Sequence, residues 1–305
     1  MSRSLWLSGI LSLCLIGQGI FSNSARGWEE DKIAWLRYYY VPHSEFKDED
    51  GEIGMNSVKG VAMIPVALSE SFVLFPGLAY GGLYLDYKGL TFSDPTPDGT
   101  FTEKDLPSDL HVIDLILGGA VQWDEEWGTY VILYPGIHSD MDDISGDDIY
   151  FSGAALMSYT FSDAFLLSAG LYYDDSFGIP QLLPMLGVQW RISDGLTLDA
   201  ALPQFLVFAY QVIPELAIGL KYNVEGNQYR LSEGKPWKNT IVKYTQILTG
   251  PFVDLSLADH LVLRIEGGVA VNREFEFRDD DTSSKLFDGD IKDMGYIGTS
   301  LSYQY

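Results

Sequence analysis

The stretch MGYIGTSLSYQY, residues 294–305, decides how this chain is read. Counting back from Tyr305, every second residue is apolar or small: Tyr303, Leu301, Thr299, Ile297 and Gly295. Between them stand Gln304, Ser302, Ser300, Gly298 and Tyr296, so the other face is mostly polar or small. A period of two belongs to a β-strand, whose successive side chains point to opposite faces. The segment is a two-faced strand that runs to the last residue without a polar tail.

The same period recurs upstream. In 149–161, Ile149, Phe151, Gly153, Ala155, Met157, Tyr159 and Phe161 alternate with Tyr150, Ser152, Ala154, Leu156, Ser158 and Thr160. In 215–225, Leu216, Ile218, Leu220, Tyr222 and Val224 alternate with Ala217, Gly219, Lys221, Asn223 and Glu225. In 261–273, Leu261, Leu263, Ile265, Val269 and Val271 oppose Arg264, Glu266 and Asn272. Each segment reads as a strand with one apolar face.

Two kinds of connection alternate between these strands. Short turns fall near Ser69, Asp124, Ser162, Ser193, Pro214 and Ala258, and longer acidic or Gly/Pro-bearing loops occupy about 43–56, 88–110, 140–148, 174–180, 226–239 and 278–291. A tight Leu202-Pro203-Gln204 connection joins the second set. Short and long connections between antiparallel strands of about ten residues are the habit of a transmembrane β-barrel. In lipid every backbone N–H and C=O needs a partner inside the protein, and a sheet provides one everywhere only by closing on itself. The sequence therefore predicts an all-β, closed antiparallel transmembrane barrel of about fourteen strands, with twelve as the alternative count. Both termini fall on the short-turn side.

Composition agrees. Aromatics reach 14%, with 19 Tyr, 16 Phe and 7 Trp, and Gly numbers 31. Such a mixture favours strands and tight turns. Trp35, Tyr38–Tyr40, Trp123, Trp127, Tyr172, Tyr173 and Trp190 fall near expected strand ends, where a membrane barrel carries interfacial girdles. Aromatics also fill the core of a soluble β-sandwich, which is the rival architecture.

The formal net charge is −24, from 43 acidic and 19 basic residues, which argues against nucleic acid as a partner. Residues 1–24 read as a secretory signal peptide: Arg3, an apolar run from Leu5 to Phe21, then Ser22, Asn23, Ser24 and Ala25, with cleavage after Ser24 or Ala25. Residues 25–305 would then form one domain. The single cysteine, Cys14, lies within that leader behind Leu13, so neither a disulfide framework nor lipidation is expected.

Little in the sequence speaks for catalysis. His43, His111, His138 and His260 sit in expected loops or at strand ends. His138-Ser139-Asp140 has the residue types of a triad, but neighbours in an extended segment point to opposite faces. The acidic groups Asp140, Asp142, Asp143, Asp147, Asp148 and Asp279, Asp280, Asp281, Asp288, Asp290 lack the spacing of a calcium loop and read as solvated loops. No enzyme activity, metal site or cofactor is expected. With the apolar faces toward lipid, Arg191, Asp199, Lys221, Arg264 and Glu266 face the lumen, since a charge on the lipid face near the midplane costs about 2–4 kcal/mol.

Two resemblances sharpen the picture. The closing strand, with Ile297, Leu301, Tyr303 and Tyr305, resembles the final strand of bacterial outer-membrane barrels, which implies reading by the barrel-assembly machinery and residence in outer-membrane lipid. Tyr305 stands where Phe is usual, and Thr299 interrupts the apolar set. Residues 183–231 resemble an uncharacterised family of outer-membrane barrels described as a domain of unknown function, through Leu183-Pro184, the Gly187 to Arg191 strand, Leu202-Pro203, Tyr210 and the Gly226 to Tyr229 segment. This resemblance implies a fold and a location and supplies no catalytic motif. The expected function is a porin-like passive pore for small solutes. The alternatives are a non-conducting envelope or adhesion barrel with acidic loops and a secreted β-sandwich binding protein.

Overall fold

A computed structural model describes residues 32–90, 106–174, 181–232, 240–279 and 285–304. Residues 1–24, expected to be a leader, and Tyr305 lie outside the described residues. The strands are β1 (Lys32–Glu45), β2 (Glu52–Met63), β3 (Val66–Ala67), β4 (Phe72–Lys88), β5 (Asp109–Gln122), β6 (Trp127–Ser139), β7 (Ile149–Ser162) and β8 (Phe165–Asp174). They continue as β9 (Gln181–Ser193), β10 (Leu196–Leu202), β11 (Phe205–Ile213), β12 (Leu216–Arg230), β13 (Thr240–Ala258), β14 (Leu261–Asp279), β15 (Lys285–Ile291) and β16 (Met294–Gln304).

All sixteen belong to one sheet in which sequence neighbours pair antiparallel; β3 and β15 stand off the ring on β4 and β14, which leaves a closed circuit of fourteen. The closing seam lies between the last strand and the first. Leu36 stands opposite Leu301, Tyr38 opposite Thr299 and Tyr40 opposite Ile297. The quoted stretch thus pairs with β1 on one edge and with β14 on the other, so neither edge is left open.

The outer face is an apolar belt. Leu36, Leu78, Leu117, Val131, Leu220, Ile265, Ile297 and Leu301 are all exposed, and Trp123, Trp127 and Trp190 join them near the short-turn end. A belt of this kind is stable against lipid and poorly suited to water. The inner face fills the barrel in layers. Toward the short turns lie Phe75, Tyr130, Ile132, Leu156 and Phe252; toward the loops lie Tyr39, Val41, Met55, Leu85, Tyr244 and Phe275.

Strand ends differ from the expected loops. β1 runs to Glu45 and β2 starts at Glu52, β12 reaches Arg230, β14 reaches Asp279, and β15 occupies part of the expected 278–291 loop. β13 and β14 hold 19 residues each, roughly twice the 9–11 a bilayer requires. Pairing continues above the lipid because the extended strands bury apolar side chains against one another, Phe275, Phe277 and Phe287 among them.

The upper part of β12 leaves the ring's usual order. β11 ends its pairing at Asn223, whereas β12 continues and forms a parallel bridge from Arg230 to Ser139 on β6. The seryl side chain of Ser232 bonds the Asp140 carboxylate and also accepts the Asp143 N–H at 2.9 Å. Consecutive residues Asn227, Gln228 and Tyr229 are buried, so both faces of this segment are covered. β12 and β13 therefore form a strap that leans across the mouth, past the short β10 (7 residues) and β11 (9 residues), and rests on β6.

Candidate functional site

A charged layer separates the two apolar layers. Arg37 on β1 and Lys59 on β2 are directly opposite in register, a like-charge pair that would repel if left alone. Glu225 on β12, separated from β1 in the ring by β13, β14 and β16, answers both. Its Oε1 accepts from Arg37 Nη1 at 2.5 Å and its Oε2 from Lys59 Nζ at 2.5 Å, while Asn223 Nδ2 donates to Oε1 at 2.8 Å. Glu266 on β14 accepts from Arg37 Nε at 3.1 Å, Arg37 Nη2 at 2.7 Å and Lys221 Nζ at 2.5 Å. A Cβ at position 298 would stand 3.0 Å from Glu266 Oε1, so Gly298 leaves the carboxylate its place.

Beside this layer Arg264 and Asp254 form a two-toothed pair, Nε to Oδ1 and Nη2 to Oδ2, both 2.6 Å. The Arg264 guanidinium also lies 3.8 Å over the Phe252 ring. Charges this deep are tolerable only when paired, because the loss of hydration is repaid by nothing else. Every member of these groups is buried.

On the opposite wall Asp114 and His138 form a second buried group. His138 Nε2 lies 2.9 Å from Asp114 Oδ1, and its ring packs 5.0 Å from that of Tyr150. Gly136, directly across from Asp114 in register, is the position where a Cβ would crowd that carboxylate and the Ile113 carbonyl. Ser139 and Asp140 do not join His138. Ser139 Oγ accepts the Met141 N–H at 3.0 Å and Asp140 holds Ser232. In the acidic loop after β6, Asp148 accepts the Ser145 N–H at 2.6 Å within a short 3-10 turn.

Of the residues that strand alternation pointed inward, Lys221, Arg264 and Glu266 are buried in the interior, and Lys221 meets Glu266. Asp199 is half-buried, opposite Gln189 and Val207. Arg191 lies apart from the others at the short-turn end of β9, its Nη2 donating to the Asp163 carbonyl at 3.0 Å. Ile297, Leu301 and Tyr303 of the closing strand are exposed on the outer face.

Arg37, Lys59, Glu225 and Arg273 escaped the reading from sequence. Glu225 stands on the polar face at the end of the 215–225 alternation, beside the expected 226–239 loop, whereas for Arg37 and Lys59 aromatics on both faces of β1 and small residues around Lys59 weakened the signal. Arg273 is a different case, because unbroken alternation places it with Val271 on the lipid face and Asn272 with Arg264 inside. The structure reverses that assignment. Thr245 pairs with Glu274 and Ile247 with Val271, so Asn272 and Arg273 together face Gln246 alone. This is a β-bulge, and Asn272 takes a left-handed conformation at φ 49°. Below the bulge Arg264, Glu266 and Ala270 are inside; above it Arg273, Phe275 and Phe277 are inside.

Closed ring, apolar belt and charged interior define a porin-like barrel of the outer-membrane type. The chain belongs to the DUF6268 family, a domain of unknown function, whose profile matches residues 76–303. None of the curated proteins matches this chain in sequence. Among solved structures it is similar to a Pseudomonas aeruginosa FadL homologue, at 12% identity and a TM-score of 0.41, with 97% of each chain covered. It is also similar to the COG4313 outer membrane channel from Pseudomonas putida F1, at 11% identity and a TM-score of 0.39, with 95% of this chain and 98% of that chain covered. OprB of Pseudomonas putida follows at 9% identity and a TM-score of 0.36, covering 89% and 93%.

Proposed function

We propose that this chain is an outer-membrane conduit for a small solute, with the layer of Arg37, Lys59, Lys221, Glu225 and Glu266 as its closed constriction. The observation that carries this reading is that the ion pairs join strands that are not neighbours in the ring, β1 and β12 being separated by β16, β14 and β13. Arg37 and Lys59 belong to β1 and β2, whereas Glu225 belongs to β12, and only side chains connect them. The wall itself is held by backbone ladders, so these pairs can part and take up water without breaking a strand. A ring of fourteen strands also encloses more space than the eight or so that side chains alone fill.

Export through the leader at 1–24, and insertion by the barrel-assembly machinery reading Ile297, Leu301, Tyr303 and Tyr305, belong to the same proposal. The test is conductance of the folded, heat-modifiable protein in planar bilayers. Discrete openings, made longer by Glu225→Gln, are expected. Absence of conductance above background from folded protein would refute the conduit. A second reading, a closed barrel displaying acidic loops, draws on the nearly complete burial of the charged layer and the packed apolar layers on either side. In that case Glu225→Gln lowers stability and leaves conductance at zero.

A further inference from the structure

Arg273 is a buried cation that belongs neither to the charged layer nor to the Arg264–Asp254 pair. Arg273 is 1% exposed and lies just inside the loop-side mouth, opposite Ile291 on β15. Its contacts are all neutral and long: Nε to Gln246 Oε1 at 3.3 Å, Nη1 to the Lys292 carbonyl at 3.2 Å and Nη2 to Met55 Sδ at 3.7 Å. Among the described residues no carboxylate lies within ion-pair distance of it; Asp293, at the rim, acts only through space. Arg37 and Arg264, by comparison, are each held by carboxylates at 2.5–2.7 Å.

A buried guanidinium without a counter-charge is costly, and a fold that needed only bulk there has apolar residues available. Here the backbone is bent to bring the cation inward. The bulge at Asn272 and Arg273 spends a left-handed non-glycine residue, and bulges re-aim side chains where an ordered ladder would point them away.

We infer that Arg273 anchors a binding site for a small organic carboxylate. A planar carboxylate matches the two-toothed geometry of a guanidinium, and charge-assisted bonds of about 2.7–2.9 Å would replace the longer neutral contacts. Gln246, fully buried, presents an amide group beside the guanidinium, and the hydroxyls of Tyr39 and Tyr244, 2.9 Å apart, lie one hydrogen bond further in. Met55, Tyr39, Tyr244 and Phe275 form apolar surroundings suited to the carbon body of an organic acid. Met55 is the adaptable member, since an unbranched thioether repacks at little cost. One guanidinium with neutral donors fits a single negative charge better than the double charge of phosphate. The site goes beyond the conduit reading, because binding is measured whether or not the interior conducts.

The experiment is calorimetric titration of the full chain, folded in detergent, with sodium benzoate, and with inorganic phosphate as counter-probe. Benzoate is expected to bind wild-type protein and to bind Arg273→Met at least about tenfold more weakly. Because that variant leaves a hole in the interior, Gln246→Glu is the second arm. It sets a carboxylate against Arg273 from within, so the protein folds with the cation occupied and benzoate affinity falls by a similar factor. Benzoate binding unchanged in Gln246→Glu, no benzoate binding by folded wild-type protein, or phosphate binding as tightly as benzoate would each overturn the assignment.

Discussion

Replacing Glu266 by Gln tests whether the charged layer is a coupled unit. The substitution keeps shape and hydrogen-bonding capacity and removes one charge. In the wild type Glu266 receives Arg37 at 3.1 and 2.7 Å and Lys221 at 2.5 Å. Three cations, Arg37, Lys59 and Lys221, then face Glu225 alone, so the layer passes from a net charge of +1 to +2. Breaking a buried pair from one side costs about 3–5 kcal/mol, since the remaining charge stays in a medium of low dielectric. Adding Lys221→Met removes the cation that Glu266 held and returns the layer to +1. The double variant should therefore recover a coupling of about 2 kcal/mol or more relative to the sum of the two single changes. Urea unfolding in lipid vesicles, followed by tryptophan fluorescence, measures each corner of the cycle. A coupling within about 0.5 kcal/mol of zero, the size found for exposed pairs, would refute the claim that Lys221 and Glu266 share a buried, mutually dependent site.

Gly136→Ala should prevent native folding or displace the Asp114–His138 pair, because the added Cβ meets the Ile113 carbonyl at 2.8 Å as well as the carboxylate; loss of the folded band on unheated gels reads this out. Cysteines at Ser139 and Arg230, which are bridge partners, should form a disulfide that fixes the strap on β6, and oxidation should then suppress openings that a reductant restores. Cys14 is the only cysteine of the sequence, so the pair is introduced on a Cys14→Ser background, in which no other thiol competes. In the turn after β5, Asp124 accepts N–H groups from Trp127 and Glu126, which hold its carboxyl below the usual range. Its contribution is present above the unfolded value and lost as pH falls through the lowered folded one, so Asp124→Ala lowers the unfolding midpoint at neutral pH and the difference vanishes in strong acid.

The ring was legible because its physics is periodic. Side chains of β7, β16 and the lower parts of β12 and β14 alternate in sequence as they do in space, and the six short turns stand where Ser, Asp, Glu and Pro punctuate the pattern. Lys221, Arg264 and Glu266 were readable for the same reason, as charges on the face opposite a lipid-facing series. Two events lay beyond that reasoning. Asn227, Gln228 and Tyr229 look like a polar loop, yet both faces are covered because the strap meets β6, a contact 91 residues away in the chain at Arg230 and Ser139. The bulge changes which face every later residue of β14 occupies, and its only local sign is an Asn, a residue common in many settings. A single extra residue cannot be counted from alternation when both neighbours, Val271 and Glu274, fit either register.

The distribution of charge then follows a division between rim and interior. The whole chain carries −24, yet among the described residues the sector of β1, β2 and β12–β14 buries five cations, Arg37, Lys59, Lys221, Arg264 and Arg273, against four carboxylates, Glu225, Glu266, Asp254 and Glu276, the last paired with the less buried Arg278 and Lys285. The excess acid is concentrated in the loops, at segments such as 47–52, 140–148 and 278–293. An anion approaching Arg273 is thus repelled first and attracted last. Salt separates the two effects, because the Debye length falls from about 30 Å at 0.01 M to about 10 Å at 0.1 M and screens exposed charges far more than buried ones. Benzoate affinity should hold or rise over that range as the rim's repulsion is damped and the interior cation keeps its strength. A tenfold fall would instead place the bound anion on an exposed, screened cation, and Arg273 would be the wrong anchor.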